Sequence, residues 1–481
     1  MKISYFRQVK PEEVGIVREG VNSFLDALQQ HSLELHSFML LRHGKVAAQG
    51  FWHPYQAQLP HMLYSLSKSF TATAIGFAVT EGLLNVTDRV VSFFPEYEEQ
   101  DFAENVRALT VKHLLTMTTG HGQDTFNAMA SAKDGDFVRA FLSLAIEHET
   151  GKHFVYNNGA TYMLSAIVQQ VTGETVRDYL MPRLFMPLHI EKPTWQVCAK
   201  GRNMGAFGLS LKTEDIAKFG QLLLQNGQFE GKTVISAAWL QEATKQQVIN
   251  GDDPNNDWHQ GYGYQLWRCR HDAYRGDGAF GQFCVVMPEQ DAVFVSTAGT
   301  EDMGGILQAL WDQLLPAMQG KPLAPRLAMV DPLAVRLETL SLRHDEDHGS
   351  YQTFFSDLNA MNFRIDTPNW AKLQAIRCVA HEDGFTLVAL ADGIEHRIEG
   401  GWHHDLEGVC TVLSPYPGMT KVAVRGSMVT DDELLIKLVY TQTPYTMLVR
   451  LKKEATSLWL TIEPSVSFDK KGNTIRVKAV R

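Results

Sequence analysis

Several familiar signals are missing, and each absence argues against a class of function. No window of about 18 residues is apolar enough to span a bilayer, and the opening Met1-Lys2-Ile3-Ser4-Tyr5-Phe6-Arg7-Gln8 lacks the apolar run of a secretory leader, so neither a membrane partner nor export is expected. No basic patch stands out and the formal net charge is −10, which argues against a nucleic-acid partner because nothing is there to displace counterions from phosphate. Cysteine is scarce. The five present (Cys198, Cys269, Cys284, Cys378 and Cys410) are scattered, form no C-x-x-C pair, and suit reduced thiols in a cytoplasm. His148-Glu149 with His153 misses the metalloprotease spacing by one residue, and Gly151 interrupts it. The run from 344 to 348 and His403-His404-Asp405 read as a solvated linker and a loop, so no metal or organic cofactor is expected. Gly276, Gly278 and Gly281 fit G-x-G-x-x-G, but a strand follows where a dinucleotide site needs a helix. No G-x-S-x-G elbow occurs, which counts against an α/β-hydrolase.

What is present is an ordinary globular composition, with 44% hydrophobic and 20% charged residues, in a chain of 481 residues that exceeds one ordinary domain. Pro11-Glu12-Glu13 opens a helix whose apolar face includes Val14, Val21, Phe24, Leu25 and Leu28. His36 to Trp52 reads as a hairpin turning at His43-Gly44, and strands from Phe283 to Met287 and Val293 to Ser296 flank Pro288-Glu289-Gln290. Helices lie between these strand pairs, with Thr213 and Ser236 as N-caps, and a last one carries Ile306, Leu310, Trp311 and Leu314. This order predicts one α/β unit, with a mixed antiparallel sheet closed by its two chain ends. After Pro322 the texture changes: Pro322, Pro325 and Pro332 break the helical pattern, and eight strands between Leu373 and Val480 follow at short intervals. The expected division is an α/β unit over 1–325, a linker over 326–350, and an antiparallel barrel-like unit of about eight strands over 351–481.

The stretch with the most chemistry begins at Ser65-Leu66-Ser67-Lys68. From Ser69 to Thr80 there is no charge, and Leu66, Phe70, Ala74 and Phe77 recur at spacings of four, four and three, so a helix buried on nearly every side is predicted. Burial disfavours an ammonium, which lowers the pKa of Lys68 from about 10.4 toward neutrality and makes it a base. Ser65 lies three residues earlier, on the same helical face and beside free N–H groups at the helix start. A second copy, Ser467-Phe468-Asp469-Lys470, has nothing to bury its lysine and reads as chance. Tyr156-Asn157-Asn158 adds a phenol and an amide on one loop. A tyrosine held near a lysine can ionise as a general base, and the Asn158 amide can hold Lys68 or a substrate carbonyl. Read alone, Tyr156 is better taken as a core aromatic and Asn158 as a turn residue; together with Ser65 and Lys68 the balance reverses.

Taken together, Tyr64-Ser65-Leu66-Ser67-Lys68, Leu114-Leu115-Thr116-Met117-Thr118-Thr119-Gly120, Tyr156-Asn157-Asn158 and Gly208-Leu209-Ser210 resemble the serine β-lactamase-related hydrolases over residues 10 to 318. That superfamily includes class C β-lactamases, penicillin-binding carboxypeptidases, esterases, D-aminopeptidases and 6-aminohexanoate-dimer hydrolases. The resemblance implies an α/β sandwich with an all-helical subdomain, Ser65 as acylated nucleophile, Lys68 as proton acceptor, and Tyr156 and Asn158 as the second motif. The third motif departs from the family's Lys-Thr-Gly or His-Thr-Gly. Here the comparable segment is Tyr274-Arg275-Gly276-Asp277-Gly278-Ala279-Phe280-Gly281-Gln282, with Arg275 as the one candidate to replace the missing cation. Its Gly281-Gln282 pair is more like the 6-aminohexanoate-dimer hydrolases and esterases. Glycines there permit close backbone approach, an N–H near Ala279 can serve as second oxyanion donor, and Gly278 and Gln282 group with it on the substrate side. Trp267, Tyr262 and Phe280 are candidate walls.

These residues predict a serine hydrolase acting on an ester or amide of a small molecule. A penicillin-binding, lactam-hydrolysing or D-aminopeptidase-type enzyme is the second reading, disfavoured by the absent leader and third-motif lysine. A catalytically silent binding protein is the third. The C-terminal unit resembles β-rich appendages of some members, and either edges the cleft or mediates self-association into a homo-oligomer.

Overall fold

The structure, a computed structural model, describes residues 4–97, 99–323, 331–343, 347–356, 361–414, 416, 418, 420–454 and 457–480. Alternation along the central strands sets the packing of the first part. In Leu35–Arg42 all eight residues are buried, Phe38 and Leu40 on one face and Met39 and Leu41 on the other. A strand buried on both faces needs a helical layer on each. Phe24 and Leu28 of Arg18–Gln30, with Ile306 of Met303–Ala309, share one apolar cluster with Phe38 and Leu40. Phe70 of Ser67–Thr80 and Phe219 of Thr213–Leu224 share another with Met39 and Leu41. The sheet runs Lys45–Phe51, Leu35–Arg42, Ala292–Ala298, Gln282–Met287, Tyr274–Gly278, Trp267–Arg268, antiparallel throughout. Its two chain ends meet at its centre, with Met39 opposite Val295. Helices from Glu104–Arg107 to Val176–Leu180 form the helical part beside it.

Three local expectations are corrected. The first helix is split: a 3-10 turn at Pro11–Val14 is followed by the helix Arg18–Gln30. Gly15 takes φ +71° between them, where a side chain would meet the carbonyl oxygen of Lys321 at 2.7 Å. Thr213 is the first helical residue rather than the cap, because its hydroxyl bonds Ser37 Oγ at 2.7 Å. Pro332 opens the helix Pro332–Glu338 instead of breaking one, its missing N–H costing nothing in the first turn, with Asp331 accepting from the Leu333 and Ala334 amides. Of the expected linker, residues 326–330 and 344–346, with most of the polar run from 344 to 348, lie outside the described residues.

Beyond residue 361 the described residues form ten strands in one sheet. The eight expected strands are joined by two short ones, Phe363–Arg364 and Leu406–Val409. Phe363–Arg364 pairs with Leu373–Ala380 and, at Arg364 opposite Val480, with the last strand, so the first and last strands are stitched together. One parallel pairing, Gly401 with Arg425, brings the other edge round into a nearly closed barrel. The barrel meets the first part through the turn between Glu433–Val439 and Thr446–Glu454. Gln442 accepts from the Met62 amide at 2.9 Å, Thr443 from the Tyr55 hydroxyl at 3.0 Å, and the hydroxyls of Tyr64 and Tyr445 share a hydrogen bond.

Candidate active site

The segment Ser67–Ala78 is buried residue after residue, and Phe70 stacks on Phe219 at 4.0 Å, so the helix Ser67–Thr80 is fixed as a core element. Ser65 does not lie in its first α-helical turn, as the spacing predicts, but in a preceding 3-10 turn, Tyr64–Leu66. Tyr64 enters this turn with φ +48°, a left-handed conformation that the surroundings must hold. Ser67 does part of this: its hydroxyl donates to the Tyr64 carbonyl at 2.6 Å and accepts from the Leu209 amide at 3.1 Å, tying the turn to the Leu209–Leu211 strand.

Lys68 Nζ lies 3.0 Å from Ser65 Oγ, 2.6 Å from Asn158 Oδ1 and 2.9 Å from the carbonyl oxygen of Ala206. Burial lowers the amine to a pKa of about 7, against the opposing pull of the Asp124 and Asp277 carboxylates. The three partners fit both protonation states. An ammonium donates to all three; a neutral amine donates to Asn158 and Ala206 and turns its lone pair to the Ser65 hydroxyl. Moving the proton from Ser65 to Lys68 therefore breaks no hydrogen bond.

Tyr156 lies beside this group, with Lys68 Nζ 4.7 Å from the centre of its ring. Its phenol is pushed well above its ordinary range, first by burial and then by Asp277, with the neighbouring Ser65 hydroxyl opposing. That direction favours the neutral phenol over the phenolate. Trp267 stacks on Tyr156 at 5.3 Å and Tyr262 meets its edge at 6.4 Å, so two of the three expected walls lie on this side, and Phe280 belongs to a separate cluster. Asn158 opens the helix Asn158–Thr172, whose cap is Asn157, its Oδ1 accepting from the Gly159 and Ala160 amides. Asp124, which sequence reasoning missed, accepts from the Asn158 backbone amide at 2.8 Å and from Nδ2 at 2.6 Å. That fixes which way the amide faces, and aims Oδ1 at Lys68. Nothing local marks Asp124 beyond its cap-like bond to the Phe126 amide, and a backbone carbonyl such as Ala206 has no sequence signature.

Across from this group, Gly276 and Gly278 bring the strand Tyr274–Gly278 against the nucleophile turn. A side chain at Gly278 would lie 2.0 Å from the Leu63 carbonyl oxygen. Ala279, Phe280 (φ +67°) and Gly281 (φ +96°) form the turn that follows. Gln282 is fully buried, with Nε2 donating to the Ala279 and Ala298 carbonyls at 3.0 and 2.8 Å and Oε1 accepting from the Ala298 amide at 3.2 Å. Its side chain braces the turn from behind. Arg275 is fully buried and ion-paired with Asp277 at 3.0 Å, between the rings of Trp258 and Trp267. Its charge is therefore balanced inside the protein, and it does not stand in for a third-motif lysine facing substrate.

The beta-lactamase family model matches residues 21–313, and the chain belongs to that family of serine hydrolases. Of its curated relatives, the 6-aminohexanoate-dimer hydrolase of Paenarthrobacter ureafaciens is 23% identical over 286 residues, 55% of this chain and 73% of that protein. Protein flp of Staphylococcus aureus (strain COL) is 28% identical over 152 residues, 31% of this chain but only 30% of its own length. Among solved structures, that of SurE with D-Leu has a TM-score of 0.52 at 15% identity and covers 96% of this chain and 99% of that one, so the fold likeness extends through the C-terminal strands. Among the described residues no helix is long and apolar enough to cross a membrane, and no group of three His, Cys, Asp or Glu is placed to hold a metal ion.

Asp124→Asn is expected to move the acid limb of kcat/KM to lower pH, because removing the carboxylate removes a charge that holds the Lys68 pKa up. Asp124→Ala, which also frees the Asn158 amide, is expected to cost about tenfold in kcat/KM at alkaline pH. A pH series on both variants, with Asp124→Glu as the restoring control, checks this.

Proposed function

We propose that this chain hydrolyses an ester or amide bond of a small molecule through an acyl-enzyme at Ser65. One observation carries the reading: a buried lysine of pKa about 7 is hydrogen-bonded to the serine hydroxyl. Lys68 takes the hydroxyl proton as Oγ attacks the carbonyl carbon, and the oxyanion is met by the backbone N–H groups of Ser65 and of a residue at Ala279. The Gly278 approach brings the second donor close. Collapse of the tetrahedral intermediate breaks the bond to the leaving oxygen or nitrogen, which receives a proton from the Tyr156 phenol, itself reprotonated from Lys68. Water attacks the acyl-enzyme with the same groups acting in reverse. A relative named as a hydrolase of a 6-aminohexanoate dimer supports the hydrolase reading. The balanced charge of Arg275 favours neutral esters and amides over substrates that must dock a carboxylate on this strand.

The test is intact mass after exposure to a fluorophosphonate, with peptide mapping of the adduct, and a fluorescent penicillin in parallel. A single fluorophosphonate adduct on Ser65 without stable penicillin labelling is the expected result. Stable penicillin acylation would move the protein to the penicillin-binding class. A protein that forms no adduct is not a serine hydrolase of this kind.

A further inference from the structure

The geometry points to an acyl-chain subsite built jointly by the two parts of the molecule, with Phe468 of the barrel as its outer face. This rests on the hydrolase reading above and adds a substrate class to it: esters and amides of medium-length alkyl or aryl acids.

The chance copy of the serine-lysine pattern at 467–470 turns out to carry this residue. Ser467 Oγ accepts from the Asp469 amide at 3.1 Å and from Asn473 Nδ2 at 2.8 Å, and Asp469 accepts from the Gly472 amide at 2.9 Å. These bonds make a self-braced loop, anchored by fully buried Val466, and leave Phe468 74% exposed. Exposed phenylalanines are common and need no explanation when isolated. This one is not isolated. Its ring lies 4.8 Å from that of Phe280 and 5.6 Å from that of Tyr64, and both of those rings are buried against Tyr445 of the barrel. Tyr64 is the residue before Ser65, and Phe280 is the residue after Ala279, so the shelf is joined through the backbone to the two positions proposed to meet the attacked carbonyl.

A carbonyl in this site has two arms. The leaving atom must face the proton donor, so the leaving group lies along Tyr156 and its stacked partner Trp267, which belong to a separate aromatic group. The Tyr64–Phe280–Phe468 shelf is left for the acyl arm. A rigid apolar surface rewards each methylene laid on it, and because the loop is already braced little ordering is required when the chain arrives.

The experiment is kcat/KM for p-nitrophenyl acetate, butyrate, hexanoate and octanoate with the wild type, Phe468→Ala and Phe468→Asp. Wild type is expected to prefer hexanoate to acetate by about tenfold. Phe468→Ala is expected to lose far more on hexanoate than on acetate, bringing the preference within about twofold, and Phe468→Asp to abolish or invert it. An unchanged length dependence in both variants, an equal loss on acetate and hexanoate, or a flat wild-type series overturns the subsite while leaving the Ser65 chemistry intact. Absence of any Ser65 adduct in the wild type overturns the hydrolase reading, and the subsite with it.

Discussion

Lys68→Met is expected to lower kcat/KM by about 10²- to 10⁴-fold, the usual contribution of a positioned general base, and to erase the acid limb of the pH profile. Methionine keeps much of the volume of the chain and removes the proton acceptor. Lys68→Arg is the sharper comparison, since a guanidinium keeps a cation near Ser65 and Asn158 but cannot accept a proton in this pH range. If the lysine acts only through its charge, the arginine variant retains activity; if it acts as a base, both variants fail alike. In the wild type kcat/KM should rise with pH through about 7, because below that value the free enzyme carries the ammonium and the base is blocked. The same shift has a stability consequence whose sign is fixed. The folded-state pKa of about 7 lies below the ordinary 10.5, so between these values the unfolded chain binds a proton that the folded one does not. Stability therefore rises with pH across that window, and Lys68→Met should flatten the rise in thermal unfolding followed from pH 7 to 10.

The grouping of Ser65, Lys68, Tyr156 and Asn158 was legible because its parts are local. Ser65 and Lys68 are three residues apart, the uncharged run after them announces burial, and Tyr156 and Asn158 occupy one short loop. What the pattern could not supply is tertiary. Asp124 sits 34 residues from Asn158, and its role depends on chain closure rather than on any spacing. The direction of the Tyr156 shift comes first from burial and then from Asp277, a neighbour brought in by the sheet. Arg275 was the exception, since its partner Asp277 lies two residues on, on the same face of one strand, and was local enough to be read. In the barrel, alternation revealed the long strands, whereas Phe363–Arg364 is too short for any period and is recognised only by the two strands that it joins. Phe468 lay inside a motif rejected for its chemistry, and its surroundings come from Tyr64 and Phe280, some 400 and 190 residues earlier in the chain by their numbers.

Gly278→Ala is expected to cost about 10²-fold or more in kcat/KM and about 1–3 kcal/mol in stability. The new methyl group would stand 2.0 Å from the Leu63 carbonyl oxygen, a backbone atom that cannot rotate aside. Leu63 is itself held, its amide bonded to the Leu209 carbonyl at 2.9 Å, and the residue after it already occupies a left-handed conformation. Relief must therefore come from moving the strand Tyr274–Gly278 away from the nucleophile turn, which carries the Ala279 amide away from the carbonyl oxygen it would hold. Gly276→Ala is the internal control. Its methyl would meet Leu66 Cδ1 and Ser69 Oγ, each at 2.5 Å, and both are side-chain atoms that can shift, at the expense of the Ser69 bond to the Gln265 carbonyl. The smaller loss is expected there. Measuring kcat/KM and thermal unfolding for the two variants separates strand displacement from simple crowding: if Gly278→Ala keeps full activity, the strand tolerates separation from Ser65, and an oxyanion donor at Ala279 is untenable.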